Sequence, residues 1–199
     1  MSITAAMVKE LRDKTGVGMM ECKKALQEAD GDLQKAQDHL RKKGLADASK
    51  RSGRSTSEGL VETYIHLGSQ IGVMIEMNCE TDFVARNDQF KTLARDICMH
   101  IAASAPQYVS REEVPEEVIN KEKEILMAQP DMASKPDNVK EKIIEGRISK
   151  FFEQICLLDQ AYIKNPDEKV GDLIKTTIST IGENIRVRRF VRFAVGEDA

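Results

Sequence analysis

Apolar side chains recur every three or four residues through the first 44 positions, in three short segments separated by glycine-containing breaks. This spacing is typical of amphipathic helices. The Gly16-Val17-Gly18 stretch ends the first segment, and Asp32 is placed to cap the third. We therefore predict a small three-helix module. Its apolar positions are Met7, Val8 and Leu11, then Met19, Cys22, Ala25, Leu26 and Ala29, then Leu33, Ala36 and Leu40.

The segment that follows, residues 41–54, carries six basic residues and one acidic residue and has no apolar stripe. Such a composition fits either a linker or the basic tail of the third helix. We predict a domain boundary near its end. The three-helix module and the basic segment then occupy residues 1–54, and a core domain occupies residues 55–199.

The apolar period changes to two after this boundary. Residues 60–67 alternate loosely and Gly68-Ser69 supplies a turn. In residues 71–79 an apolar residue stands at every second position, namely Ile71, Val73, Ile75, Met77 and Cys79. Near the other end of the chain, alternation returns over residues 185–193, with Ile185, Val187, Val191 and Phe193 on one side. The pattern predicts a β-hairpin and a third strand, which together form a minimal antiparallel sheet.

Helical spacing occupies the positions between these strands. One segment begins behind Asn87-Asp88, either of which could cap it, and carries Phe90, Leu93, Ala94, Ile97 and Ile101. Residues 114–128 and 139–158 predict two charged helices separated by a proline-bounded break, and residues 170–181 predict a last amphipathic helix. The predicted fold class is α+β, with a three-stranded antiparallel sheet packed with helices and a helical hairpin.

The charge balance limits the classes of partner. The 199 residues include 30 Lys and Arg and 33 Asp and Glu, which gives a net charge of −3. No overall basic field therefore attracts nucleic acid or anionic lipid. The longest nearly apolar stretch, residues 97–105, is much shorter than a membrane span. Charges also recur every few residues from the N-terminus, unlike a secretory signal. We expect a cytoplasmic protein with no membrane partner and no direct nucleic-acid partner.

The sequence also shows no motif that is typical of a catalytic, metal-binding or phosphate-binding site. The four cysteines and three histidines are dispersed, with no CxxC pair, and neither GxGxxG nor GxxxxGK[ST] occurs. Small buried thiols explain the cysteines better than a metal site or a disulfide framework does. We expect no metal site, no cofactor and no enzymatic activity, which favours a protein that acts by binding.

The most unusual local feature is Thr81-Asp82-Phe83-Val84, between the second predicted strand and the helix behind it. One interpretation is structural: Phe83 closes the end of the core and Asp82 caps a helical turn. The other is functional: an exposed aromatic side chain beside a carboxylate, which suits insertion into a partner protein.

Met19 and Met20 are the second candidate. Consecutive helical side chains point about 100° apart, so both methionines cannot face one small core. Either both pack partially, or one faces a partner, for which methionine provides an adaptable apolar contact.

The arginines of the last predicted strand leave a further alternative open. Arg186, Arg188, Arg189 and Arg192 flank Phe190, and basic residues around an aromatic are common in RNA-binding strands. A solvated sheet face is the simpler explanation, and the basic segment 41–54 has the same two interpretations. An RNA- or ribosome-binding accessory protein is therefore the alternative function.

Three long stretches resemble signature sequences of the bacterial elongation factor Ts family, in the family's order. They are ITAAMVKELRDKTGVGMMECKKAL, NCETDFVARNDQF and IGENIRVRRFVRFAVGE. The intervening VSREEVPEEVINKEKEIL and EKIIEGRISKFFEQICLLDQ are similar as well. The chain resembles the short, single-core members, because it has one hairpin and one terminal strand where long members have a duplicated core.

The resemblance implies a ubiquitin-associated-like N-terminal module and a core dimerisation domain. It implies guanine nucleotide exchange on elongation factor Tu during translation elongation, with GDP released as the partner's Mg²⁺ is displaced. A single core would pair with a second copy to present both contact surfaces, so a homodimer and a two-plus-two complex are the expected assemblies.

The resemblance also implies three groups of partner-binding residues. The first intrudes near the nucleotide and dislodges Mg²⁺, the second lies on the N-terminal module, and the third meets another domain of the partner. These groups are Thr81, Asp82, Phe83 and Val84; Met19 and Met20; and His66, Gly68, Ile71 and Gly72.

Overall fold

The computed structural model describes residues 3–197, and the chain folds into two compact units. The first unit comprises the residues up to Val61 together with Glu76–Ala94 and Asp172–Val187. The second comprises Glu62–Ile75, Arg95–Gly171 and the residues from Arg188.

Helices and short strands alternate along the described residues, which confirms the predicted α+β class. The helices are α1 (Ala5–Thr15), α2 (Met19–Glu28), α3 (Leu33–Arg51), α4 (Asp82–Ala85), α5 (Asp88–Ser104), α6 (Glu116–Met127), α7 (Asp137–Ile155) and α8 (Val170–Ile181). The strands are β1 (Glu58–Ile65), β2 (Ile71–Cys79), β3 (Ala161–Tyr162), β4 (Asn165–Lys169) and β5 (Arg186–Ala194).

The three N-terminal helices form as predicted. The Thr4 hydroxyl accepts the backbone N–H of Met7 at the start of α1, and Gly16 ends that helix in the left-handed conformation, with φ of 67°. The Asp32 carboxylate accepts the N–H of Lys35 at 3.0 Å and caps α3. The helices bury a hydrophobic core of their own, formed by Val8, Leu11, Cys22, Ala25, Leu26, Ala36 and Leu40.

The basic segment is a continuation of α3 as far as Arg51, so the helix-tail alternative is correct for most of its length. Leu40, Gly44 and Ala48 lie one turn apart on α3 and are buried. A Cβ atom at Gly44 would lie 2.8 Å from the Ser179 hydroxyl of α8. Glycine at position 44 therefore permits α3 and α8 to approach closely.

The antiparallel sheet has the order β1-β2-β5. At the hairpin turn, His66 donates its backbone N–H to Ile71, and Ser69 donates to His66, both at 2.9 Å. Gly68 and Ser69 have positive φ values of 86° and 56°, as a tight turn requires. The alternation in β2 is as predicted, since Val73, Ile75, Met77 and Cys79 are buried.

The alternation predicted for β5 holds only in its first part. Ile185 and Val187 are buried, but Val191 and Phe193 are exposed. The intervening Arg192 is largely covered instead, because its guanidinium donates to the Ala102 carbonyl of α5 and forms an ion pair with Glu197 at 2.6 Å. A paired arginine thus takes the inward side of the strand, and two apolar residues face outward.

Helices α6 and α7 form the predicted helical hairpin in the second unit, packed through Leu126, Met132, Ile144 and Ile148. Asn87 is the residue that caps α5, because its side-chain oxygen accepts the N–H of Gln89 at 2.7 Å. The two-stranded β3-β4 ribbon was not predicted. Within residues 3–197, no helix is both long and apolar enough to cross a bilayer.

All four cysteines are buried, as the interpretation of small core thiols predicts. Burial raises the pKa of Cys79 and of Cys156 to about 11, and that of Cys98 to about 12. These thiols stay protonated at neutral pH, so they are poor nucleophiles.

Candidate functional site

The candidate site is the α4 turn, a single helical turn between β2 and α5. Thr81 is its N-cap, and the Thr81 hydroxyl accepts the backbone N–H of Val84 at 3.5 Å. Asp82 is the first helical residue, and its carboxylate forms an ion pair with Arg86 one turn later at 2.9 Å. The carboxylate and the aromatic ring of Phe83 therefore come from adjacent residues of a capped turn.

Phe83 and Val84 point in opposite directions with respect to the core. The Phe83 side chain is 81% exposed, whereas Val84 is only 8% exposed. Adjacent helical side chains diverge by about 100°, so burial of Val84 directs Phe83 outward. The structural interpretation is wrong for both residues, because Phe83 does not close the core and Thr81, not Asp82, is the cap.

The sheet side of the turn holds a buried, protonated thiol, that of Cys79. The Cys79 thiol donates to the Thr81 carbonyl at 3.2 Å. Burial is the main cause of the raised pKa of Cys79, and the nearby Glu183 carboxylate raises it further. The turn therefore holds no reactive group of its own, and what it offers a partner is an exposed ring and a carboxylate.

Helix α2 begins with Met19 and Met20, directly after Gly18. Met20 is 76% exposed and Met19 is 46% exposed, while Cys22 and Ala25 supply the buried side of the helix. Both methionines therefore contribute apolar surface on the outside of the three-helix core.

The third predicted group surrounds the β1-β2 turn. The Nδ1 atom of the exposed His66 ring lies 3.0 Å from the hydroxyl of the half-buried Tyr64. Gly72 is packed under Ile65, since a Cβ at Gly72 would lie 3.1 Å from the Ile65 Cδ1 atom. Gly68 forms part of the turn and is exposed, and Ile71 is the first residue of β2 and is half-buried.

The structure brings the predicted residues together within each group. Thr81 to Val84 form one turn, and Met19 and Met20 lie in the same compact unit as that turn. His66, Gly68, Ile71 and Gly72 belong to the other unit.

Comparison with known proteins gives one consistent result. The Elongation factor TS family model matches residues 47–197. Elongation factor Ts of Carboxydothermus hydrogenoformans is 61% identical over 195 residues, which cover 98% of this chain and 90% of that protein. The chain belongs to the elongation factor Ts family. Elongation factor Ts of Geobacter sulfurreducens is 59% identical over 99% of this chain and 91% of its own length, and that of Thermodesulfovibrio yellowstonii is 60% identical over 99% and 98%.

Membership of the elongation factor Ts family confirms the resemblance found in the sequence. The family model begins inside α3, so α1, α2 and the first part of α3 are matched by the full-length relatives and not by the family model. The α4 turn, the β1-β2 turn and the terminal strand all lie within the matched residues.

Sequence reasoning missed two polar residues next to the α4 turn, of which Glu183 bonds to Thr81 and Asn184 bonds to the Glu80 side chain just before it. Glu183 and Asn184 lie between α8 and β5. The Glu183 carboxylate accepts hydrogen bonds from Thr81, and Asn184 is only 1% exposed. The available signal was the polar pair itself, since an acid and an amide interrupt an apolar stretch that includes Ile181 and Ile185.

Proposed function

We propose that this member of the elongation factor Ts family is a guanine nucleotide exchange factor for elongation factor Tu. It would act in the cytoplasm by binding alone, without a chemical reaction or a cofactor of its own. The observation that carries the proposal is the exposed Phe83 ring beside the Asp82 carboxylate on a capped turn.

The Phe83 ring supplies binding energy that the isolated chain does not use. Burial of such a ring in a partner contributes about 1.5–3 kcal/mol, which corresponds to about 10- to 150-fold in an equilibrium constant. The ion pair of Asp82 with Arg86 is exposed and therefore weak. The Asp82 carboxylate is accordingly available to a partner at little energetic cost.

Exchange then follows from linkage. Bound GDP is held in part by Mg²⁺, and displacement of the cation leaves the negative charge of the phosphates less compensated. If the chain binds nucleotide-free elongation factor Tu more tightly than the loaded form, it must weaken nucleotide binding by the same factor. Thr81 to Val84 would supply this difference by stabilising a rearranged partner from which Mg²⁺ has been displaced.

Residues 1–54 are proposed to be a second contact with the partner. The hydrophobic core of the three helices lies entirely within this segment and supports its treatment as a module. The exposed Met19 and Met20 suit an apolar contact with elongation factor Tu. His66, Gly68, Ile71 and Gly72 are proposed to touch a different domain of the partner.

A homodimer is proposed from the exposed sheet residues of the second unit. Ile65, Met74, Val191 and Phe193 are all apolar and exposed on the three strands. Apolar surface of this kind on a sheet suits contact with a second copy. Two chains with two molecules of elongation factor Tu would then form the two-plus-two complex.

The proposal is tested by following release of fluorescent GDP from elongation factor Tu after addition of excess unlabelled GDP. Catalytic amounts of the chain should accelerate release, and sedimentation of the mixture should show a complex. Parallel titrations with RNA at several salt concentrations test the alternative. Strongly salt-dependent RNA binding without acceleration of GDP release would contradict the exchange function and favour an RNA- or ribosome-binding protein.

A further inference from the structure

We propose that Glu183 and Asn184 are positioning residues for exchange: they form a latch that holds the α4 turn in the conformation that presents Phe83. This role deepens the proposed function and rests on it. Neither residue reaches outward like Phe83, since Asn184 is buried and Glu183 is half-buried.

The need for a latch follows from the length of α4. A four-residue helix is too short to be stable by itself, because the first turn fixes several dihedral angles for a single hydrogen bond. The N-cap bond from Val84 to the Thr81 hydroxyl is long, at 3.5 Å. The buried Val84 side chain holds one side of the turn against the core. The N-terminal end of the turn requires other contacts.

Glu183 supplies three of these contacts. One carboxylate oxygen, Oε2, accepts the backbone N–H groups of Glu80 and Thr81 at 3.2 and 3.0 Å. The other, Oε1, accepts the Thr81 hydroxyl at 2.7 Å. That bond orients the hydroxyl so that its lone pairs remain available to Val84. Hydrogen bonds to a charged acceptor are stronger than those between neutral groups, so Glu183 is the main polar restraint on the start of α4.

Asn184 links Glu80, directly after β2, to the residues that follow α3. Its backbone N–H donates to the Glu80 side chain at 2.7 Å, which reciprocates the bond from Glu80 to Glu183. Its side-chain Nδ2 donates to the carbonyls of Ser52 and Arg54, at 3.2 and 2.9 Å. The latch therefore joins the end of β2 and the segment that leaves α3, all within the first compact unit.

Without the latch, the turn would sample several conformations before it met a partner. A binding-competent state that is populated only in part lowers the apparent affinity by the same fraction. Loss of the three Glu183 bonds should therefore reduce acceleration of GDP release by about tenfold or more, although Glu183 need not touch the partner.

The chain contains no tryptophan, so a Phe83→Trp reporter would carry the single indole of the molecule. In this background we expect Glu183→Ala to lower the fluorescence anisotropy of Trp and to increase its quenching by acrylamide. Asp172→Ala is the matched control, because it removes an acid of the same unit that pairs with Lys175 on the surface of α8. It should leave both signals unchanged.

Two conservative variants separate positioning from folding. Thr81→Val removes the hydroxyl at nearly constant volume and should loosen the reporter, whereas Thr81→Ser keeps the hydroxyl and should retain the anisotropy. If Glu183→Ala does not fold, this pair tests whether the Thr81 hydroxyl, which bonds to both Glu183 and Val84, holds the turn. The same Glu183→Ala substitution, made in the chain that retains Phe83, is then assayed for GDP release.

The outcomes for the latch and for the exchange function are distinct. Unchanged anisotropy in Glu183→Ala and in Thr81→Val would overturn the latch, and so would a loosened turn with undiminished acceleration of GDP release. If the unsubstituted chain does not accelerate release at all, the proposed function fails, while the anisotropy still reports on the latch.

Discussion

His100 is a buried histidine whose two ring nitrogens both have partners. The backbone N–H of Ile163 can only donate, so Nδ1 must accept it, at 3.3 Å, and the proton lies on Nε2, which is 2.9 Å from the Gln160 side-chain oxygen. Gln160 in turn donates to the carbonyls of Ser104 and Gln154. The network is complete only while the imidazole is neutral.

This network predicts a pH dependence of stability. Burial lowers the pKa of His100 below its ordinary value of 6.5. His100 therefore binds a proton more readily in the unfolded chain than in the folded chain. The free energy of unfolding decreases as the pH falls below about 6.5. The contribution of a single group has a slope of at most about 1.4 kcal/mol per pH unit. Urea unfolding at pH 7.5, 6.5 and 5.5 measures the decline.

His100→Gln removes the titrating imidazole. It should reduce the loss of unfolding free energy between pH 7.5 and 5.5, whatever it does to stability at pH 7.5. His39→Gln is the matched control, since His39 is exposed on α3 and pairs there with Glu28. The control should decline like the unsubstituted chain. An equal decline in His100→Gln would contradict the assignment.

At the scale of single residues, the sequence indicated which residues form the candidate turn but not the directions of their side chains. Asp82 and Phe83 are adjacent in the sequence, but the outward direction of the ring depends on the burial of Val84 in the folded core, which is a tertiary contact. Glu183 was missed because its partner Thr81 lies about 100 residues earlier in the chain. A local pattern holds no information on such a pair.

At the scale of elements, glycines in two helices allow a matched prediction. A Cβ at Gly146 in α7 would meet nothing within 4 Å among the described residues, whereas a Cβ at Gly44 in α3 would meet both heavy atoms of the Ser179 side chain. Gly146→Ala should stabilise the chain by about 0.5–1 kcal/mol through helix propensity. Gly44→Ala should destabilise it by about 1–3 kcal/mol through overpacking against α8.

Thermal unfolding of the two variants checks this prediction, with melting temperatures that shift in opposite directions. A rise of similar size in both would contradict the close approach of α3 and α8. Because both substitutions add one methyl group to a helical glycine, their difference isolates the contact with Ser179.

Long periodic elements were predictable, and short or polar ones were not. Helices α5 and α8 and strand β2 follow their apolar periods closely. The tail of α3 was ambiguous because its buried face is made of Gly44 and Ala48, which carry little hydrophobic signal. Strands β3 and β4 have two and five residues, and the NPDEK sequence of β4 is almost entirely polar, so their pairing depends on the surrounding fold.

At the scale of the whole molecule, the exposed sheet residues predict the state of the chain in solution. If Ile65, Met74, Val191 and Phe193 meet a second copy, Phe193→Asp should convert the dimer into a monomer, because it would bury an unpaired charge. Sedimentation equilibrium of the chain alone measures the mass. Met127→Asp, at an exposed apolar position of α6, is the control and should leave the dimer intact. A monomeric unsubstituted chain would contradict the homodimer.

The exposed ring on the α4 turn is proposed to weaken nucleotide binding by elongation factor Tu. The direct measurement is the rate constant of GDP release at saturating concentrations of the unsubstituted chain, Phe83→Ala, Asp82→Ala and the control Met127→Ala. We predict that Phe83→Ala lowers the accelerated rate by about tenfold or more, with an unchanged melting temperature because the ring is exposed. Full acceleration by both Phe83→Ala and Asp82→Ala would contradict the account.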